Sequence, residues 1–462
     1  MAKIPAHIFR EYDIRGLAEE ELTSENVELI ALAYGTWLVR SGVTKAALGG
    51  DVRLSTSRIK AALAKGLLAA GVDVVDLGVT STPTFYWSFF RCDADGGIQV
   101  TGSHNPKEFN GLKVAFKKAT LWGDAIQNIY RMIEADDFAV AKIPGKFSSL
   151  DITDEYINML ASKVQLGNRK LKIVCDYGNG AGGCYGPKLF RKLGCEVVDL
   201  FAEPDGNFPN HHPDPTKRGN LLSLMEAVTR EGADAGFGYD GDADRLGVVD
   251  DKGNMLVGDR LMALYWREIL AKNPGAVAIC EVKSSMALPE DVEKHGGKPL
   301  WWCAGHSLIK AKMAEQNALF SGEVSGHLFF ADEYFGYDDA FYAAERLCRI
   351  LSNSDRKLSD IMEEIPQYPA TAETRYDCPD DKKRGVVDKF KEQALAENLN
   401  VITVDGARII YKNGWGLVRI SNTQPVLVAR CEGRTKEALA DICADMKRRL
   451  LNAGSPAFEW EF

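Results

Sequence analysis

One short design is written three times in this chain: a strand, a turn of glycine and polar residues, an amphipathic helix, then a glycine and a second apolar strand. The copies run AALGGDVRLSTSRIKAALAKGLLAAGVDVVDLGV (46–79), LKIVCDYGNGAGGCYGPKLFRKLGCEVVDLFA (171–202) and AVAICEVKSSMALPEDVEKHGGKPLWWC (276–303). Period-3.6 apolar spacing between two buried strands is the pattern of a βαβ crossover, which demands a parallel or mixed sheet. Copies about a hundred residues apart are duplicated domains, since solenoid repeats recur every 20 to 50 or so. The expected class is therefore α/β: three related mixed α/β domains built from a repeated βαβ unit.

The 462 residues are too many for one core and suit three or four domains at roughly 100 to 200 residues each. A Pro/Gly/Ser stretch at 141–156, the end of the strand after DGDADR, and the proline-rich run at 364–380 give boundaries of 1–148, 149–254, 255–366 and 367–462. The last segment drops the repeat and alternates helix, strands and helix, as in a small α+β domain. A composition 45% hydrophobic and 26% charged is that of an ordinary globular chain, and a net charge of −9 argues against nucleic acid or an anionic membrane as partner. No signal-peptide or membrane-spanning run occurs, so a cytoplasmic protein is expected, and the absence of coiled-coil heptads favours a monomer. Ten cysteines are scattered without a CxxC pair and read as reduced core thiols.

Four segments carry chemistry. In VTGSHNPKEFNG (100–111), Gly102 permits close approach, Asn105-Pro106 forces a turn, and Lys113 follows with positive charge, so Ser103 is placed to carry a phosphoryl group. A phosphoserine brings about −1.5 to −2 charge and needs a cation opposite it. GYDGDADR (238–245) supplies one: Asp240, Asp242 and Asp244 alternate with small residues, converge as hard oxygen ligands suited to Mg²⁺, and precede Arg245. An EF-hand is excluded, because Arg245 and Asp251 stand where its glycine and glutamate belong. GEVSGH (322–327) offers Glu323, Ser325 and His327 to vicinal sugar hydroxyls, and RISNTQP (419–425) gathers Arg419, Ser421, Asn422 and Thr423 as a phosphate nest. A competing signal is GNGAGG, where Gly178, Gly180 and Gly183 spell GxGxxG after a strand with Asp199 downstream, the mark of an NAD(P)-dependent oxidoreductase. The equivalent turns of the other two repeats lack it.

In this order, FREYDIRG, TGSHNP, DGDADR, GEVSGH and GWGLVRISNTQP resemble the α-D-phosphohexomutases, in particular the bacterial phosphomannomutase/phosphoglucomutases, over essentially the whole chain. The resemblance implies a C-terminal α+β domain similar to the TATA-binding-protein fold and a cleft enclosed by four domains. It implies a phosphoserine at Ser103, Mg²⁺ on Asp240, Asp242 and Asp244 with Ser103, and phosphate contacts from Arg419, Ser421, Asn422 and Thr423. It also brings Tyr12, Arg15, His104, Lys113, Arg245, Lys283, Gly305, His306, Glu323, Ser325 and His327 into or beside that cleft. Ala304 stands where the family usually has threonine, which bears on sugar preference, and Ile420 and Gln424 replace the common alanine and threonine of the phosphate loop.

The expected reaction moves a phosphoryl group between C1 and C6 of mannose or glucose phosphates through a 1,6-bisphosphate, with glucose 1,6-bisphosphate as activator. Lys113 or His327, assisted by Arg15, is the candidate for proton transfer, and Arg245 for charge compensation. The rival readings are phosphoglucosamine mutase, a phosphatase using the same aspartates, a sugar-phosphate binding protein, and the dehydrogenase.

Overall fold

The computed structural model describes residues 4–421 and 424–462. The chain divides into two compact units, Met1–Leu256 with Ser325–Ile361, and Val257–Val324 with Met362–Phe462.

The first unit holds two sheets, each built on a predicted βαβ copy. In the N-terminal copy, strands Lys45–Gly50 and Asp73–Val79 pair in parallel across helix Thr56–Ala69. Gly96–Val100 adds in parallel, and Phe109–Phe116 and Ile14–Leu17 close that side antiparallel. On the other side Phe147–Ser149 pairs in parallel with Asp73–Val79. The 141–156 segment, expected to be only a linker, thus contains an edge strand. Its three residues are all exposed, so no buried alternation marked it. Helices Ser24–Arg40 and Thr56–Ala69 pack together on this sheet, burying Ile30, Ala31, Leu63 and Leu67 in one core. The second sheet runs Met255–Leu256, Leu246–Asp250, Ala235–Tyr239, Lys172–Asp176, Glu196–Leu200, parallel in its last three strands.

In the second unit the third copy forms the parallel pair Val277–Glu281 and Lys298–Trp302, joined by helix Ala287–Lys294. The C-terminal segment is a five-stranded antiparallel sheet in the order Thr374–Asp377, Val426–Gly433, Gly414–Ile420, Ala407–Tyr411, Asn400–Ile402. Helices Asp380–Ala396 and Lys436–Asn452 share its core through Val387, Phe390, Ile442 and Met446. Among the described residues no helix is long and apolar enough to cross a membrane, and all ten cysteines are free thiols.

Candidate active site

In the first unit, the loops that leave the C-terminal ends of parallel strands Gly96–Val100 and Ala235–Tyr239 meet, the usual place for a site in an α/β sheet. Ser103 sits in the first loop, buried, with φ of 48°. A non-glycine residue in the left-handed region persists only where its surroundings over-determine it, and here they do. The Ser103 amide donates to Thr101 Oγ1 at 2.8 Å and the Gly102 amide to Asp51 Oδ2 at 3.1 Å. Arg53, its side chain wholly buried, donates to four carbonyl oxygens of the same loop: Ser103 at 2.9 Å, Asn105 at 2.6 Å, Pro106 at 2.6 Å and Phe109 at 2.9 Å. Asp51, 3.3 Å from Arg53 Nε, balances its charge. Gly102 is glycine because a Cβ there would lie 2.4 Å from the Arg53 guanidinium. Arg53→Met is therefore expected to leave Asp51 an unpaired buried carboxylate, cost about 3 kcal/mol of stability, and lower kcat at saturating substrate. Thermal unfolding and steady-state kinetics read the two effects separately.

Ser103 Oγ donates to Asp240 Oδ2 at 2.8 Å and lies 3.0 Å from His104 Nδ1. Burial, together with the charges of Arg245 and Arg15, holds the His104 imidazole well below the usual histidine range, so it is neutral and its Nδ1–H can donate to the serine oxygen.

The second loop is shaped by Ala243 in the left-handed region, φ 56°, and by the amides of Asp244 and Arg245 donating to Asp240 Oδ1 at 3.1 and 3.2 Å. Asp240, Asp242 and Asp244 are fully buried, and each offers an oxygen within 4.8 Å of the others. Lys113 donates to Asp242 Oδ2 at 3.0 Å and to Asp244 Oδ2, and Thr82 Oγ1 donates to Asp242 Oδ2 at 2.5 Å. Burial and its two neighbours push Asp240 well above the ordinary carboxylate range. Burial works against Asp242 too, but Lys113 and Thr82 hold it below that range. Two oxygens, Asp242 Oδ1 and Asp244 Oδ1, are buried without a hydrogen-bond partner. Three clustered carboxylates facing one lysine, with orphaned hard oxygens, fit a divalent cation.

The remaining candidates of this unit surround that pair of loops. Arg15 Nη1 donates to Asn105 Oδ1 at 3.2 Å, and Tyr12 lies on the bend just before the Arg15 strand. Arg245 Nε, which can only donate, lies 3.1 Å from His327 Nε2, so that ring nitrogen carries the lone pair and Nδ1 the proton. His327 Nδ1 is 3.1 Å from Asp338 Oδ2 and 3.7 Å from Asp244 Oδ1. Ser325 belongs to the same turn, two residues before His327. Asp51, Arg53, Thr82 and Asp338 were not among the residues expected from sequence. The doubled aspartate Asp338-Asp339 was the available signal for the last, since Asp339 caps helix Ala340–Ser352 and leaves Asp338 facing the histidine.

GNGAGG does not form a nucleotide turn. A Cβ on Gly180 would lie 2.8 Å from the Gly241 carbonyl oxygen, on Gly183 1.9 Å from that of Ala202, and on Gly178 3.1 Å from Pro213. The Ala181 amide donates to the Gly241 carbonyl at 3.0 Å. Gly180 packs on the aspartate loop, and Gly183 and Gly178 on Ala202 and Pro213, so protein fills the space a pyrophosphate would need, which corrects the oxidoreductase reading.

In the second unit, Lys283 Nζ contacts Glu281 Oε1 at 3.0 Å and Glu373 Oε2 at 3.3 Å. Burial alone would lower its pKa, yet those carboxylates raise it and keep it an ammonium. Glu323 Oε1 accepts from the Gly305 amide at 3.0 Å, and Gly305, φ 124°, precedes helix His306–Gln316, placing His306 at its first turn. Asp405 Oδ2 accepts from Arg419 Nε at 2.8 Å and the Ala304 amide at 3.1 Å. Lys383 Nζ donates to the carbonyls of Ser421 and Gln424 at 2.9 and 3.1 Å. Asn422 and Thr423 lie outside the described residues.

Comparison with known proteins covers nearly the whole chain. Residues 6–140, 154–253 and 257–368 match the alpha/beta/alpha domains I, II and III of phosphoglucomutase/phosphomannomutase, and 373–449 match its C-terminal domain. A phosphomannomutase/phosphoglucomutase of Pseudomonas putida is 40% identical over 450 residues, 97% of this chain and 96% of that protein. A phosphoglucomutase of Neisseria meningitidis serogroup A is 40% identical over 444 residues, 96% of each. The crystal structure of a phosphoglucomutase/phosphomannomutase family protein from Burkholderia thailandensis, 39% identical, superposes with a TM-score of 0.93 over 99% of this chain and 100% of that one. Matched domain by domain and in sequence over nearly its full length, the chain belongs to the phosphoglucomutase/phosphomannomutase family.

Proposed function

We infer that this chain is a hexose-phosphate mutase that moves a phosphoryl group between C1 and C6 through phosphorylated Ser103 and a hexose 1,6-bisphosphate. The observation that carries this reading is the strained, buried Ser103 with its hydroxyl 2.8 Å from one of three clustered carboxylates. Glucose 1,6-bisphosphate would serve as the source of the first phosphoryl group.

Asp240, Asp242, Asp244 and Ser103 would hold Mg²⁺, which supplies positive charge to the transferring phosphoryl oxygens when bound. Lys113, kept cationic by Asp242 and Asp244 in spite of burial, adds a fixed charge and is poorly suited to accept a proton. That favours His327 over Lys113 for proton transfer: the Asp338 contact at Nδ1 leaves the lone pair on Nε2, which accepts from Arg245 Nε and would take a proton once Arg245 turns to the phosphoryl group. Arg245 and Arg15 compensate charge, and His104 donates to the serine oxygen. Because both phosphates must take a turn at Ser103, the bisphosphate has to reverse between half-reactions. Arg419, Ser421, Asn422, Thr423 and Lys283 would hold the phosphate not reacting, while Glu323, Ser325, His306, Gly305 and Tyr12 orient the sugar. Four domains ending near residues 148, 254 and 366 suit this division of labour, with family matches ending at 140, 253 and 368 in support.

A coupled assay with mannose 1-phosphate, glucose 1-phosphate and glucosamine 1-phosphate, with and without glucose 1,6-bisphosphate, tests the reading. Interconversion of the mannose and glucose phosphates, stimulated by the bisphosphate and without net phosphate release, is expected. Inorganic phosphate formed in step with turnover would make the protein a phosphatase. Arg419→Ala is expected to raise KM by about 10- to 100-fold with a smaller change in kcat, as loss of a charged contact common to ground and transition states should.

A further inference from the structure

Lys283 follows a strand end in the second unit, and its loop is held both by a turn of its own, the Ser284 amide donating to the Glu281 carbonyl at 2.9 Å, and from the C-terminal sheet. Three successive carbonyl oxygens there accept from arginines of the C-terminal sheet. Arg408 Nη1 donates to Val282 at 2.6 Å and Ser284 at 2.7 Å, and Arg430 Nη1 to Lys283 at 2.8 Å. Glu432 Oε1 then accepts from the Met286 amide at 2.9 Å and from Trp415 Nε1 at 2.8 Å. Arg408 is itself fixed: 1% exposed, its guanidinium lies 3.7 Å from the centre of the Trp415 ring and 4.1 Å from that of Trp301. Val282, Trp415 and Leu417 close a separate small core beneath the loop.

A buried arginine is costly unless desolvation is repaid by stacking and hydrogen bonds. Here burial pushes its pKa down to about 9, with Glu432 opposing. A lysine could not replace it, because only a planar guanidinium can stack between two indoles while bonding two carbonyls. The strand Gly414–Ile420 contributes Trp415 to the stack and carries Arg419 near its other end. One strand thus supports both the anchor of the Lys283 loop and the cation Arg419, and Glu373, which contacts Lys283 Nζ at 3.3 Å, belongs to the same C-terminal segment.

We propose that Arg408, stacked between Trp301 and Trp415, is a positioning residue that sets the spacing between Lys283 and Arg419 and so builds one site for a sugar-phosphate dianion. The proposal rests on the reading of Lys283 as a substrate-binding residue. It is tested by a cycle of Lys283→Met, Arg408→Lys and the double variant, with KM and kcat for glucose 1-phosphate, Mg²⁺ affinity and melting temperature measured for each. Arg408→Lys is expected to raise KM about tenfold, the scale of losing charge-assisted hydrogen bonds, with kcat and Mg²⁺ affinity little changed. The double variant should be no worse in KM than Lys283→Met alone, because Arg408 acts through Lys283. Full additivity, or an unchanged KM in Arg408→Lys beside a raised one in Lys283→Met, overturns the positioning role and leaves Lys283 in place. An unchanged KM in Lys283→Met overturns that residue's role and the proposal with it. Should Arg408→Lys fail to fold, Trp301→Leu removes one face of the stack, keeps the arginine's bonds, and carries the same expectation at smaller amplitude.

Discussion

Ser103→Ala is expected to abolish the phosphoryl increment in the intact mass of the protein after incubation with glucose 1,6-bisphosphate, and to lower turnover by about 10⁴-fold or more, as removal of a covalent nucleophile does. The fold should persist. The loop is shaped by backbone bonds to Thr101, Asp51 and Arg53, none of which uses the serine hydroxyl, and alanine meets the same left-handed backbone that serine already tolerates. What is lost is the hydrogen bond to Asp240, worth about 1.5 to 3 kcal/mol at a charged acceptor, and the one from His104, worth about 1 kcal/mol. A variant that melts within a few degrees of the parent, binds sugar phosphate and cannot be phosphorylated separates chemistry from structure. An alanine variant that still interconverts hexose phosphates at a rate near that of the parent would refute the phosphoserine.

That serine and the three aspartates were legible in the sequence because each lies in a short string in which the turn-forming and reactive residues are neighbours. The βαβ copies were legible for the same reason, periodicity being local. Arg53 was not: it occupies an ordinary-looking turn of the first repeat, and its work is done on carbonyl oxygens 50 or more residues later. Thr82 was invisible as a partner of Asp242, because 160 residues separate them and its local signal is only that of a helix start after Ser81. GNGAGG misled in an instructive way. Glycine marks a place where backbone must come close, but the sequence does not say to what, and here Gly180 meets the aspartate loop while Gly183 meets Ala202 and Gly178 meets Pro213. Arg408 had no local signature at all, since the tryptophans that flank it come from one strand of its own sheet and one of the third βαβ copy.

Asp242→Asn tests the other half of the chemistry. Asp242 is kept ionised, since Lys113 and Thr82 both donate to its Oδ2, while its Oδ1 stays without a hydrogen-bond partner. The amide removes one negative charge and turns one of two acceptor positions into a donor, so Lys113 and Thr82 compete for a weaker acceptor or face an NH₂ group. Loss of a residue that merely supports a metal ligand typically costs about 10- to 100-fold in affinity. Loss of a ligand charge should cost at least about 100-fold in Mg²⁺ affinity, read by calorimetric titration of the protein without substrate, and kcat at fixed Mg²⁺ should fall with it. Raising Mg²⁺ should recover part of the rate, because Asp240 and Asp244 remain. Arg419→Ala, acting on the distal phosphate, should leave Mg²⁺ affinity unchanged, which separates ligand loss from a general weakening of substrate binding. Unaltered Mg²⁺ affinity in Asp242→Asn, or full activity of the parent protein in excess chelator, would remove the cation from these three carboxylates and leave Lys113, Arg245 and Arg15 to supply the positive charge.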